Sequence, residues 1–225
     1  ISREIVIQGE LEPLRQVEIR AQTTSRVTGL PVARGERMDG GTLLIQLALE
    51  DRAAQLKHAR AEVKRRHFEV EGARKLNKDG LVADNQLKAV EAELAAAEAN
   101  QKKASLELGY TEIRAPFGGV LEVRDVELGS HVEAGERVAV VVDESVLKAV
   151  GHVSQQKVGE LKPGQTIRVR LLDDREVEGQ VTYIARLGDS KTRSFRVEAE
   201  VPNPDGLLNA GVSAELCIVT GRESA

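Results

Sequence analysis

The sequence predicts a mainly β fold carrying a long α-helical hairpin: a small β-sandwich built in two halves, an antiparallel coiled-coil hairpin inserted between them, and a small β-barrel. Three observations predict it. Residues 50–108 contain no proline, are rich in Ala, Glu, Lys, Arg and Leu, and place apolar residues at heptad spacing. The segments on either side switch to a period of two and resemble each other. After Asp143 come short alternating strands separated by turn residues.

The chain opens on Arg3-Glu4-Ile5-Val6-Ile7-Gln8, an alternating strand already under way, with no basic start followed by an apolar stretch. This predicts a piece of a longer protein. Residues 1–17 are assigned to the barrel, because both chain ends then return to one place.

The upstream flank runs VTGLPVARGERMDGGTLLIQL and the downstream one FGGVLEVRDVELGSHVEAGERVAVVV. In each, a glycine (Gly29, Gly119) precedes an alternating strand, and a Gly-x-x-[Met/Val]-x-x-Gly unit follows: Gly35, Met38 and Gly41, then Gly129, Val132 and Gly135. Glycine supplies positive-φ corners at both ends of a tight strand connection, and Met38 or Val132 plugs the small core between them. Two half-motifs around an insertion predict one pseudo-symmetric sandwich, residues 18–49 and 109–143.

Within 50–108, the Asn77-Lys78-Asp79-Gly80 stretch separates two helices. In the second, Leu87, Val90, Leu94, Ala97, Gln101, Ala104 and Leu108 form a strict three-four seam. In the first, Leu49, Ala53, Leu56, Ala59, Val63, Val70, Ala73 and Leu76 give a similar stripe, weakened at Arg66 and His67. Arms of this length extend about 40 Å at 1.5 Å per residue, far beyond what a compact domain needs. Basic residues dominate the first arm and acidic ones the second, which favours pairing, each exposed pair contributing ~0.2–1 kcal/mol.

Downstream, Leu147–Val153, Ile167–Leu172, Val177–Ile184, Phe195–Val201 and Val212–Val219 alternate, broken by Pro163-Gly164, Asp173-Asp174 and Asn203-Pro204-Asp205-Gly206. Residues 144–220 are therefore assigned to the barrel.

Composition narrows the function. Aromatics are 2% of 225 residues, so cores rest on Val, Leu, Ile and Ala, which suits several small cores better than one. The formal net charge of −4 provides no global basic field to recruit nucleic acid or anionic lipid. Lys64-Arg65-Arg66 has acidic neighbours and no interleaved aromatics, so it reads as a solvated helix face. A single Cys217 excludes an internal disulfide framework. His58, His67, His131 and His152 are scattered, so neither a metal site nor any other cofactor is expected. No phosphate loop, paired carboxylates or Ser-His-Asp spacing points to an enzyme.

Three segments carry a resemblance: Leu108–Val120 (LGYTEIRAPFGGV), Thr192–Val197 (TRSFRV) and Asn203–Gly211 (NPDGLLNAG). With the segment order, they resemble the periplasmic adaptor (membrane fusion protein) subunits of RND-type tripartite efflux pumps, the HlyD-like family. The resemblance implies a lipoyl-like sandwich, and a membrane-proximal domain is expected outside this chain. It implies a non-catalytic protein in the periplasm of a Gram-negative bacterium, attached to the inner membrane in its full-length form. Its implied partners are an inner-membrane, proton-driven RND transporter, an outer-membrane channel and further copies of itself in a hexamer.

The exposed apolar tip expected to meet the channel is Leu76, Leu81, Val82 and Ala83. Related adaptors often present Arg, Leu and Ser there; here Gly72 stands at the Arg place, Leu76 keeps the Leu, and Ala83 takes the Ser place, with Asp84 expected to cap the second helix. Two other readings exist. An adaptor of an ABC-type exporter or type I secretion system shares the architecture. A lipoyl or biotinyl carrier would need a Lys in a tight turn joining the half-motifs, where long helices stand instead.

Overall fold

A computed structural model describes residues 2–222. In chain order the elements are β1 (Ser2–Arg20), β2 (Ser25–Gly29), β3 (Arg37–Met38), β4 (Leu43–Leu47), α1 (Arg52–Lys78), α2 (Asp84–Gly109), β5 (Glu112–Arg114), β6 (Gly119–Arg124), β7 (His131–Val132), β8 (Arg137–Ser154), β9 (Thr166–Leu171), β10 (Glu176–Ile184), β11 (Ser194–Pro202) and β12 (Ser213–Arg222). Among the described residues the fold is mainly β, with a closed barrel, two α-helices and one 3-10 turn at Val158–Glu160.

The barrel runs β1-β12-β9-β10-β11-β8, and the pairing of β1 with β8 closes it. Alternation along each strand sends one face inward, so Leu11, Leu147, Ile167, Val169, Leu216 and Ile218 are wholly buried in one core. A second core lies under the smaller unit, with Leu44, Ile45, Leu47, Leu121 and Val132 at its centre.

That smaller unit is reciprocal. β3 pairs with β6 (Arg37 opposite Val120), while β7 pairs with β2 (Ser25 opposite Val132). β4 sits between β2 and β5, as β8 sits between β6 and the second half of β1. The Gly35 N–H donates to Leu121 O and the Gly129 N–H to Val27 O; the Gly41 N–H donates to Ala115 O and the Gly135 N–H to Ala21 O. Equivalent positions stand at one constant sequence offset, Met38 matching Val132 and Val27 matching Leu121. Gly35, Gly41, Gly129 and Gly135 have φ of 80, 85, 90 and 91°, the left-handed region that an L side chain avoids.

The first glycine of each repeat behaves differently. Gly29 ends β2 rather than preceding a strand, and no strand follows it before Arg37, because Pro31 has no N–H for a ladder. Gly119 does open a strand, β6, and neither residue has a positive φ.

α1 and α2 are 27 and 26 residues long, about 40 Å each at 1.5 Å per residue, and pack along one another. No helix of the described residues is long and apolar enough to cross a membrane. Every residue of the seam in α2 is buried or half-buried. In α1 the stripe is shifted from the sequence expectation: Leu49, Ala53 and Leu76 are exposed, and the inward positions are Arg52, Leu56, Ala59, Val63, Arg66, Val70, Ala73 and Asn77. Three of these are polar, and each has a partner. Arg66 pairs with Glu93 across the seam, Arg52 donates to Thr23 Oγ1 at 2.9 Å, and Asn77 closes the turn. Arg74 also pairs with Glu91, 2.8 Å away.

Lys64 is exposed, and Arg65 and Arg66 both bind Glu62 and Glu69 on the same helix. Gly72 is exposed, and a Cβ there would meet nothing within 4 Å. Gly72→Ala is expected to stabilise the helix pair by up to ~1 kcal/mol, the difference in helix propensity, read as a raised denaturant midpoint. A lowered midpoint would contradict the open environment.

Candidate functional site

The turn between the helices is built from their ends. Gly80, with φ of 72°, donates its N–H to Asn77 O at 2.9 Å, and the Leu81 N–H donates to Leu76 O at 2.9 Å. These two bonds are the Schellman pattern, which sets Leu81 and Leu76 at the two positions between which an apolar contact commonly forms. Both remain open to solvent, Leu76 at 45% and Leu81 at 72%. Val82 is half-buried and Ala83 is exposed. All four apolar residues expected at the tip therefore stand at the turn, with Leu81 the most prominent.

The capping expectation changes. Ala83, not Asp84, is the N-cap, and it makes no side-chain cap bond. Asp84 is the first helical residue, and its Oδ1 accepts from Asn77 Nδ2 at 2.9 Å while the same nitrogen donates to Val82 O at 2.9 Å. One amide thus ties the last turn of α1 to the first of α2. Asn77 belongs to the tip, and its heptad position within α1 was the available signal.

A second polar arrangement lies where the smaller unit meets the barrel. β1 and β8 run continuously through both, and their register slips between Pro13 and Arg15. At the slip Asp143 is 3% exposed; it accepts Arg15 Nη2 at 2.6 Å, Ser145 Oγ at 2.6 Å and the Ser145 N–H at 3.2 Å. Burial pushes the Asp143 carboxyl up. The Ser145 hydroxyl, the Arg15 guanidinium and the Ser145 N–H outweigh it and hold the carboxyl below its ordinary range. Arg15 also covers the Phe117 ring at 4.5 Å.

Asn203, 3% exposed, completes this joint from the barrel side. Its Nδ2 donates to Glu144 O and Leu208 O, both at 3.0 Å, its Oδ1 accepts the Leu208 N–H at 3.0 Å, and its own N–H donates to Ser145 O at 3.0 Å. Phe117 and Asn203 come from two of the segments that carry the resemblance. The joint gathers them, which sequence spacing alone does not show.

Comparisons with known proteins follow the same outline. Residues 149–222 match the family described as CusB-like, beta-barrel domain. Nodulation protein NolF of Rhizobium meliloti is 25% identical over 94% of this chain and 62% of its own length. The pyoverdine export membrane fusion protein PvdR of Pseudomonas putida is 25% identical over 100% of this chain and 71% of its own. The chain thus spans about two thirds of the curated relatives it matches. Among solved structures, a MacA-MexA chimeric protein containing the Pseudomonas aeruginosa MexA α-hairpin domain superposes with a TM-score of 0.84 at 21% identity, covering 98% of this chain and 80% of the other. The chain is thus similar over nearly its whole length to proteins that include a membrane fusion protein, and its residues 149–222 match the CusB-like β-barrel domain.

Proposed function

We propose that this chain is the greater part of a non-catalytic periplasmic adaptor that links an inner-membrane, proton-driven RND transporter to an outer-membrane channel in a tripartite efflux pump of a Gram-negative bacterium. In this reading residues 18–49 and 109–143 form a lipoyl-like sandwich, 50–108 a coiled-coil hairpin, and 1–17 with 144–220 the barrel. Leu76, Leu81, Val82 and Ala83 dock on the channel, and six copies surround the path of the exported compound.

The observation that carries the proposal is the turn at the far end of two packed helices. There Leu81 keeps 72% of its surface in water on a locked backbone, an arrangement suited to a partner rather than to the chain's own core. Arms of 27 and 26 residues, about four heptads each, together with the TRSFRV and NPDGLLNAG segments, favour the proton-driven class over the ABC-type and secretion adaptors.

Single-Cys variants at Leu81 and Ala83, in a Cys217→Ala background with a co-expressed channel, are expected to cross-link to that channel. Leu81→Asp is expected to weaken the capture of channel at least ten-fold, since a charge would enter an apolar contact. Cross-linking only from barrel positions would overturn the docking assignment. Co-purification of an ATPase-driven exporter would move the chain to the other transporter class.

A further inference from the structure

The formal charge of −4 conceals an uneven distribution. β8 and β11 pair from Pro202 opposite Val146, beside the joint, to Ser194 opposite Ser154, so the 155–165 and 185–193 loops cap the barrel end away from the joint. The two loops meet there, the Gln155 N–H donating to Arg193 O at 3.2 Å. They carry Lys157, Lys162, Arg186, Lys191 and Arg193, all exposed and none in an ion pair among the described residues. Of the two carboxylates in these loops, Asp189 is exposed and its Oδ1 accepts the Lys191 and Thr192 N–H groups at 2.8 and 2.9 Å, so the cations outnumber the carboxylates five to two. Glu160 has a partner of its own. The opposite end, by contrast, holds Asp173, Asp174 and Asp205.

Among these cations stands Leu187, 89% exposed. Its loop is braced: the Asp189 N–H donates to Ser194 O at 2.9 Å, the Arg193 N–H donates to Asp189 O at 2.8 Å, and Gly188 lies so close under the Phe195 ring that a Cβ would come within 2.9 Å of it. A rigid loop holding one apolar side chain among unpaired cations is the pattern of an interfacial anchor. The side chain enters the headgroup boundary while the cations meet phosphate.

We propose that this end of the barrel binds the surface of a membrane rich in anionic phospholipid. The exposed leucine favours a bilayer over an acidic protein, because a purely electrostatic partner has no use for it. The proposal does not depend on the adaptor reading, since vesicles alone test it.

The 225-residue chain is to be sedimented with vesicles of phosphatidylglycerol and phosphatidylcholine, and with phosphatidylcholine alone. Binding is expected only to the anionic vesicles and is expected to fall steeply between 50 and 500 mM salt, conditions set by the screening length. Each removed cation is expected to lower partitioning about five-fold, so Arg186→Gln with Lys191→Gln loses roughly 25-fold. Leu187→Gln loses several-fold with the same salt slope, and Leu172→Gln at the opposite end changes nothing. The Lys157→Gln, Lys162→Gln pair repeats the test from the other loop, and thermal melts identify any variant that fails to fold. Equal binding to neutral vesicles, no binding to anionic ones at lipid excess, or indifference to both cation pairs overturns the proposal. So does retention on polyglutamate without vesicle binding, which would point to an acidic protein surface.

Discussion

Asn203→Ala is expected to lower the unfolding free energy by about 3 kcal/mol. The side chain makes three hydrogen bonds, to Glu144 O, Leu208 O and the Leu208 N–H, in a site where Asn203 and Leu208 are 3% and 5% exposed. Alanine removes all three and leaves their partners behind. An unpaired buried polar group costs ~1–3 kcal/mol, more than the net worth of the bond itself, because water no longer reaches it. Part of that cost relaxes at Glu144, which is only half-buried, so the sum stays below the upper limit. Asn203→Asp retains an acceptor for the Leu208 N–H but loses both donations, and the expected loss is about 2 kcal/mol. Urea unfolding followed by circular dichroism measures both, provided the m-value is unchanged. A loss under about 1 kcal/mol for Asn203→Ala would mean that solvent serves these groups and that the joint does not brace the barrel.

The sequence made some of this legible and hid the rest for identifiable reasons. The seam of α2 could be read because six of its seven positions are apolar, so a local count of periodicity suffices. The seam of α1 could be read only in its middle, from Leu56 to Ala73, since Arg52, Arg66 and Asn77 also occupy inward positions and each is made tolerable by something remote: Thr23, Glu93, and the turn that ends in Asp84. Local hydropathy then drifts to Leu49, Ala53 and Leu76, which face water.

The barrel strands were legible because turn residues bracket each of them. The unbroken course of β8 was not, because Asp143-Glu144-Ser145 looks like a turn. Arg15 from β1 and Asn203 from the barrel, both remote in sequence, help a carboxylate and a bulged backbone to continue as a strand. At the tip, the apolar residues could be named from their place at the turn, whereas the Asn77 clamp was hidden because an apolar count ends the stripe on Leu76 instead of its polar neighbour. The basic end of the barrel was invisible in a net charge because opposite charge collects at the other end.

Gly119→Ala is expected to be the more damaging of two glycine substitutions that composition cannot rank. At Gly119 a Cβ would stand 2.2 Å from Val142 O and 3.0 Å from Val142 C. Both are backbone atoms of the strand that pairs with β6, and Met38 pairs with Gly119 on the other side. No rotamer relieves that clash, so β6 and β8 must separate. Overpacking against fixed neighbours costs ~1–3 kcal/mol, and at least 3 is expected where the neighbour is a ladder. At Gly35 the reason is torsional: φ is 80°, but a Cβ would meet nothing within 4 Å. Gly35→Ala should then cost about 1–2 kcal/mol, the ordinary penalty for an L residue in the left-handed region, and Gly35→Asn less. Hydrogen exchange should locate the Gly119→Ala damage in β6, β3 and the first half of β8, sparing β9 and β10 of the barrel. A reversed ranking would mean that β6 and β8 can shift apart freely, and their close approach would then not be what holds the smaller unit together.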